Sequence, residues 1–249
     1  MLKFGLLGEK LEHSQSPKLH QQLMKDKGID GTYELIEISK DAFEDTFLSL
    51  KNSDFRGVNV TIPYKETVIP FLDEISPQAK YIGAVNTILF SNGKAKGFNT
   101  DYFGFRALFE HNNIKAKGCN AIVLGAGGVA KAVQKALCDM GIFDLTVVSR
   151  GKENFHNQYT VSYDFYKEKR PKTDILVNCT PVGMYPNINA SPLPKALMRA
   201  KIAVDVIYNP EETLFLKYAK ELGMKTINGN LMLYEQAAKA QEIWENETL

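Results

Sequence analysis

The sequence predicts an α/β protein of two lobes with a cleft between them. Three observations carry this: β-branched runs alternate with helix-period stretches, a second α/β block restarts at Cys119, and 249 residues allow one large domain or two small ones. In the first block, strands are predicted at Lys3–Leu7, Thr32–Ile38, Gly57–Thr61, Asn86–Phe90 and Ala95–Asn99. Helices are predicted to start at Pro17, Asp41, Lys65 and Pro77. Phe43, Phe47 and Leu50 recur at helical spacing, so the second of these buries one face. Asn92-Gly93 sits between two strand-like runs and tolerates positive φ, which predicts a tight hairpin with antiparallel strands. Asp101–Asn112 reads as a helix joining the blocks. The second block has strands at Asn120–Leu124, Leu145–Ser149, Ile175–Cys179, Ile202–Val206 and near Thr226. A last helix, Leu231–Asn246, carries Leu233, Ala237, Ala240 and Trp244 on one side and can pack back on the first block. Domains are therefore drawn at 1–101, joined by the helix at 231–249, and at 102–230.

Composition narrows the function. Thirty Lys and Arg against 29 Asp and Glu leave a formal net charge of +1, with no basic tract for nucleic acid. No apolar run approaches the ~18–20 residues that span a bilayer. Glu9 and Glu12 interrupt the N-terminus too early for a secretory signal. Cys119, Cys138 and Cys179 are odd in number and lack metal-like spacing, which predicts a reducing cytoplasm. His13, His20, His111 and His156 are scattered, so no metal is expected.

The strand Asn120–Leu124 runs into Gly125-Ala126-Gly127-Gly128-Val129-Ala130, a G-x-G-x-x-A turn entering an Ala- and Val-rich helix. Glycines allow the tight turn and let a pyrophosphate approach the backbone, while the helix start offers free N–H groups. The strand before and the helix after supply the context that separates a dinucleotide site from a packing turn. At the end of the next strand, Ser149-Arg150-Gly151-Lys152 replaces the carboxylate that an NAD site uses for ribose hydroxyls. Arg150 can pair with a 2′-phosphate and Ser149 can donate to it, pointing to NADP; a solvated loop is the other use of Arg150 and Lys152.

The first block carries polar residues where apolar ones are expected. Ser16 suits a helix N-cap with Pro17 at the first helical position. Ser14 and Ser16 beside a helix start can also bind a small carboxylate. Asn59 and Thr61, two apart on a strand, share a face and need polar partners. Lys65, Asn86 and Asp101 stand at element ends that can meet at one rim; Thr100 or Asp101 can equally cap the joining helix.

Together these motifs resemble the shikimate dehydrogenases nearly end to end. The resemblance runs through Ser14-Gln15-Ser16-Pro17 with His20, then Asn59-Val60-Thr61-Ile62-Pro63-Tyr64-Lys65, Gly83-Ala84-Val85-Asn86-Thr87 and Asn99-Thr100-Asp101. It continues with Gly125–Gly128, Asn178-Cys179-Thr180-Pro181-Val182-Gly183-Met184, Asp205-Val206-Ile207-Tyr208-Asn209-Pro210 and Gly229-Asn230-Leu231-Met232-Leu233 with Gln236. It implies a substrate domain, a Rossmann-type doubly wound domain binding NADP, and reduction of 3-dehydroshikimate to shikimate by NADPH in aromatic amino acid biosynthesis. By resemblance, Ser14 and Ser16 bind the substrate carboxylate with help from Tyr208. Asn59, Thr61, Asn86, Asp101 and Gln236 read the ring hydroxyls, and Lys65 with Asp101 is the catalytic pair. Gly125, Ala126, Gly127, Gly128 and Val129 hold the pyrophosphate; Ser149, Arg150 and Lys152 take the 2′-phosphate; Val206 and Gly229 lie near the nicotinamide. The chain departs from the family in Ser149 and Gly151, where Asn and Thr are common around the Arg, in Lys152 for a second Arg, and in Gln21 for Asn. An NAD-using quinate/shikimate dehydrogenase is expected to carry an acidic residue near 149, and a non-catalytic shikimate-binding regulator to lose Lys65 or Asp101. Small-molecule substrate is the expected partner, with no nucleic acid or membrane, in a monomer or homodimer.

Overall fold

The computed structural model describes residues 1–151 and 159–246, so Lys152 and His156 lie outside the described residues. The chain divides into two units, Met1–Phe103 with the C-terminal segment from Tyr234, and Gly104–Leu233.

The first unit is built on a six-stranded sheet. Its strands are β1 (Leu2–Gly8), β2 (Gly31–Glu37), β3 (Phe55–Val60), β4 (Glu74–Ile75), β5 (Thr87–Ser91) and β6 (Lys94–Phe98), in the order β2-β1-β3-β5-β6-β4. β1 pairs parallel to β2 and β3, while β5 is antiparallel to β3 and β6. The β5–β6 hairpin turns on Asn92 and Gly93 at φ 52° and 71°, as their side chains, short or absent, allow. Helices α1 (Ser16–Asp26), α2 (Phe43–Lys51) and α3 (Pro77–Ile82) cover the sheet. Phe43, Phe47 and Leu50 are all buried with Val58, Val60 and Ile88, which is the apolar stripe doing what its period predicts.

Two local expectations are corrected. Gln15, not Ser16, is the N-cap position of α1, and no side chain caps it. Ser14 Oγ instead accepts from the Ser16 N–H at 3.2 Å, which turns the chain one residue earlier. No helix starts at Lys65: residues 62–68 form turns leading to a 3-10 turn at Ile69–Phe71. Pro63 and Pro70 bracket the segment, and a proline clashes with a continuing α-helix.

The second unit has an all-parallel sheet of β7 (Asn120–Leu124), β8 (Asp144–Val148), β9 (Tyr159–Val161), β10 (Ile175–Asn178), β11 (Ile202–Asp205) and β12 (Lys225–Ile227). Its order is β12-β11-β10-β7-β8-β9, the doubly wound order with its switch point between β7 and β10. Strands β7, β10 and β11 are almost wholly buried, as a sheet covered on both faces requires. Helices α5 (Gly128–Asp139), α6 (Tyr163–Lys169) and α7 (Leu214–Glu221) belong to this unit, while α4 (Asp101–His111) and α8 (Asn230–Asn246) run from one unit into the other. The far end of α8 packs on the first sheet: Trp244 Nε1 donates to the Ile88 carbonyl at 2.9 Å and Arg56 Nε donates to the Trp244 carbonyl at 3.0 Å. Gly57 is needed there, because a Cβ would come within 2.2 Å of the indole nitrogen.

Candidate active site

Lys65 is held by its neighbours rather than by a helix. Tyr64 is buried against Phe43, and its hydroxyl donates to the Ile38 carbonyl at 2.6 Å. The Lys65 carbonyl accepts from the Val85 N–H at 2.7 Å, which ties the turn to the segment entering β5. Asp101 is fixed at the first position of α4, where a carboxylate suits the helix dipole. Asn99 is the residue that bonds the start of this helix, accepting from the Tyr102 N–H at 3.3 Å, so neither Thr100 nor Asp101 fills that place.

These supports bring the Lys65 ammonium to Asp101 Oδ2 at 2.5 Å, with both side chains mostly buried. The other carboxylate oxygen accepts from Asn86 Nδ2 at 2.9 Å. Asn86 Oδ1 accepts in turn from the Thr100 N–H at 2.7 Å and from the Thr87 hydroxyl at 3.0 Å. Asn59 Nδ2 donates to the Asn86 carbonyl and to Thr87 Oγ1, and Thr100 Oγ1 donates to Gln236 Oε1 at 3.3 Å. Asn59, Asn86, Thr87, Thr100 and Asp101 are all buried polar residues, and each is satisfied by another member. Ser14 and Ser16 are half-buried at the start of α1, and Thr61 follows β3 with its methyl over Gly8. Thr87 and Tyr33, whose hydroxyl donates to Asn59 Oδ1, are members that sequence reasoning left without a role, and Thr100 was expected there only as a cap of the joining helix. Thr87 and Thr100 lie inside the quoted motifs, so adjacency was the available signal; Tyr33 on β2 gave none.

The glycine turn of the second unit has a different character. Gly125 has φ 103°, a conformation that side chains rarely adopt, and a Cβ there would press on Thr180 and the Cys179 carbonyl. Gly127 faces open space, and no side chain caps α5, so the first N–H groups of that helix are free of side-chain partners. Ala126, Gly128 and Val129 are partly exposed around them. A pyrophosphate fits this backbone-lined turn. At the end of β8, Ser149 Oγ accepts from the Gly151 N–H at 3.3 Å, and Arg150 is exposed. No carboxylate stands at this strand end among the described residues.

Beyond β10 and β11 lies a buried hub. Asp205 is fully buried; Oδ1 accepts from Asn178 Nδ2 and the Ile207 N–H at 3.1 Å each, and Oδ2 accepts from the Thr213 hydroxyl at 2.7 Å. Desolvation lifts this carboxyl to about 6, with the three donors opposing the shift. The hub holds the loop carrying Val206 and Tyr208, whose phenol burial also raises. Gly229 closes on this loop so tightly that a Cβ would meet the Val206 carbonyl oxygen at 2.2 Å. A carboxylate ending an apolar strand was the sequence signal for Asp205.

Residues 6–88 match the family described as the shikimate dehydrogenase substrate binding domain. The chain is 46% identical to the shikimate dehydrogenase (NADP(+)) of Clostridium perfringens over 98% of this chain and 92% of that relative. The chain belongs to the shikimate dehydrogenase family. Among solved shikimate dehydrogenases, one from Peptoclostridium difficile superposes with TM-score 0.95 at 43% identity, covering 100% of this chain and 93% of that one. The Thermus thermophilus member, solved with NADP(H) and shikimate, gives TM-score 0.89 at 37% identity over 99% and 94% of the two chains. No described helix is long and apolar enough to cross a membrane.

Proposed function

We propose that this chain catalyses the reversible, NADP-dependent reduction of 3-dehydroshikimate to shikimate, with the Lys65–Asp101 pair as its reacting centre. The observation that carries this reading is the 2.5 Å contact between a mostly buried ammonium and a carboxylate already held by Asn86, in a member of this family. The first unit with the end of α8 serves as the substrate domain, and the second as the NADP-binding domain. Ser14 and Ser16 hold the substrate carboxylate, while Asn59, Thr61, Asn86 and Gln236 meet ring hydroxyls.

When bound, reduced nicotinamide supplies the hydride. Negative charge then develops on the substrate carbonyl oxygen, and the Lys65 ammonium stabilises it and hands a proton to that oxygen. Asp101 keeps the ammonium in place and Asn86 keeps Asp101 in place, so the charge is met without reorganisation. Free N–H groups at the start of α5 receive the pyrophosphate, and Arg150 with Ser149 receives the 2′-phosphate. The cytoplasm is the compartment we assign, from three cysteines in the sequence, an odd number without metal-like spacing. Purified protein mixed with shikimate and either NADP or NAD, followed by reduced-nicotinamide absorbance, tests the reading. Turnover with NADP far exceeding that with NAD is expected. Comparable turnover overturns the cofactor assignment, and none with either overturns the reaction.

A further inference from the structure

The side-chain amide of Asn59 is constrained on every side. Its nitrogen donates to the Asn86 carbonyl at 3.2 Å and to Thr87 Oγ1 at 3.1 Å. A carbonyl only accepts, and the Thr87 proton is directed to Asn86 Oδ1 at 3.0 Å, so both of these positions call for a donor. Oδ1 of Asn59 therefore faces the other way, where the Tyr33 hydroxyl donates to it at 2.8 Å. Tyr33 is buried, and desolvation raises its phenol well above the ordinary range, which keeps it a donor. The ring is itself held: His20 stacks on it with centroids 4.2 Å apart, and Gln241 meets His20 Nδ1 at 2.9 Å. Burial lowers the His20 imidazole to about 3, so no charge sits beside the phenol.

An amide offers two N–H donors and two lone pairs. With both donors occupied, Asn59 has no N–H left to offer; one lone pair on Oδ1 remains beyond the Tyr33 bond, with the neutral His20 ring as its other neighbour. We propose that Tyr33 is a positioning residue that locks the Asn59 amide, so that Asn59 accepts a hydrogen bond from a substrate hydroxyl and does not donate one. This rests on the substrate-facing role given to Asn59 above. Tyr33 acts through Asn59, the one side chain its hydroxyl is shown to bond.

Tyr33→Phe keeps the ring and its stack but leaves Asn59 Oδ1 without its donor. Steady-state kinetics of Tyr33→Phe, Asn59→Ala and the double variant test the proposal. We expect the KM for shikimate to rise about tenfold in Tyr33→Phe, with kcat and the KM for NADP within about twofold, as loss of one buried donor implies. In the Asn59→Ala background, Tyr33→Phe adds no further rise, because the group it acts through is gone. A rise with Asn59→Ala but none with Tyr33→Phe, or independent multiplying effects, overturns the positioning role alone. An unchanged KM in Asn59→Ala overturns the role of Asn59, and the inference with it. If Tyr33→Phe does not fold, wild-type protein with 13Cζ-labelled tyrosine decides by NMR. A slowly exchanging Tyr33 hydroxyl proton is expected; exchange as fast as at the exposed Tyr159 overturns the lock.

Discussion

The polar cluster around Asp101 and the glycine turn after β7 are built on opposite plans. In the first, side chains supply the polar groups, and each has its orientation fixed by another: Lys65 by Asp101, Asp101 by Asn86, and Asn86 by Thr87 and Thr100. In the second, side chains are absent where they would obstruct, and the backbone is left with free N–H groups at Gly127 and α5. The difference teaches where each region is fragile. Changing one atom in the cluster leaves a buried partner unmatched; adding one atom at the turn or its supporting loop blocks space that the fold keeps clear.

The comparison breaks most visibly at Asp101. Both its oxygens accept from donors, and an amide in its place must turn one N–H toward a donor. Asp101→Asn is expected to lower kcat by about 10²–10⁴-fold, with a smaller change in the KM for NADP, measured by steady-state kinetics. Gly229→Ala should act on the other region, since its Cβ would strike the Val206 carbonyl at 2.2 Å. A stability loss of about 1–3 kcal/mol by urea unfolding is expected, with a raised KM for NADP. Arg150→Ala sharpens the contrast on the side-chain scale: the KM for NADP should rise about tenfold while that for NAD stays level, as one charge-assisted contact to phosphate predicts.

A last effect separates the two units by sign. His20 is about 3 in the folded chain against 6.5 in the free side chain, so the stability it supports is full above 6.5. As pH falls from 6.5 toward 3, the unfolded chain gains a proton there that the folded one refuses, and the first unit weakens. Asp205 is shifted the other way, from 3.8 to about 6. As pH falls through about 6 toward 3.8, the folded chain takes that proton first, and the second unit gains stability. Native-state hydrogen exchange at pH 7 and pH 5, corrected for intrinsic rates, should show protection falling around β2 and α1 and rising around β10 and β11. Asp205→Asn should abolish the second trend and leave the first.

The two regions also differed in how far they could be read from sequence. The glycine turn was legible because backbone geometry limits it to few residues at Gly125, which needs its positive φ, while Gly127 leaves open space beside the helix start. Asn92-Gly93 was legible for the same reason. The polar cluster was legible in its members and not in its wiring. Asn59, Asn86 and Asp101 stood out as polar residues at strand and helix ends, yet which atom faces which depends on contacts across 15 to 36 positions of chain. The helix expected at Lys65 fails because Pro70, five residues on, cannot continue a helix and turns the residue before it out of the helical region. Ser16 was misplaced by one residue because Ser14 and Ser16 are both fit to end a turn; only the Ser14 hydroxyl does so. Strand β9 and helices α6 and α7 are too short for a periodic signal to separate them from loop.

The most direct measurement of the central claim is Lys65→Met, assayed for shikimate-dependent reduction of NADP and, by calorimetry, for shikimate binding. Binding should persist within a few-fold while kcat collapses by about 10²–10⁴-fold, since the proposed ammonium acts where charge develops and the remaining cluster still holds the ring. A variant that turns over at near wild-type kcat contradicts it.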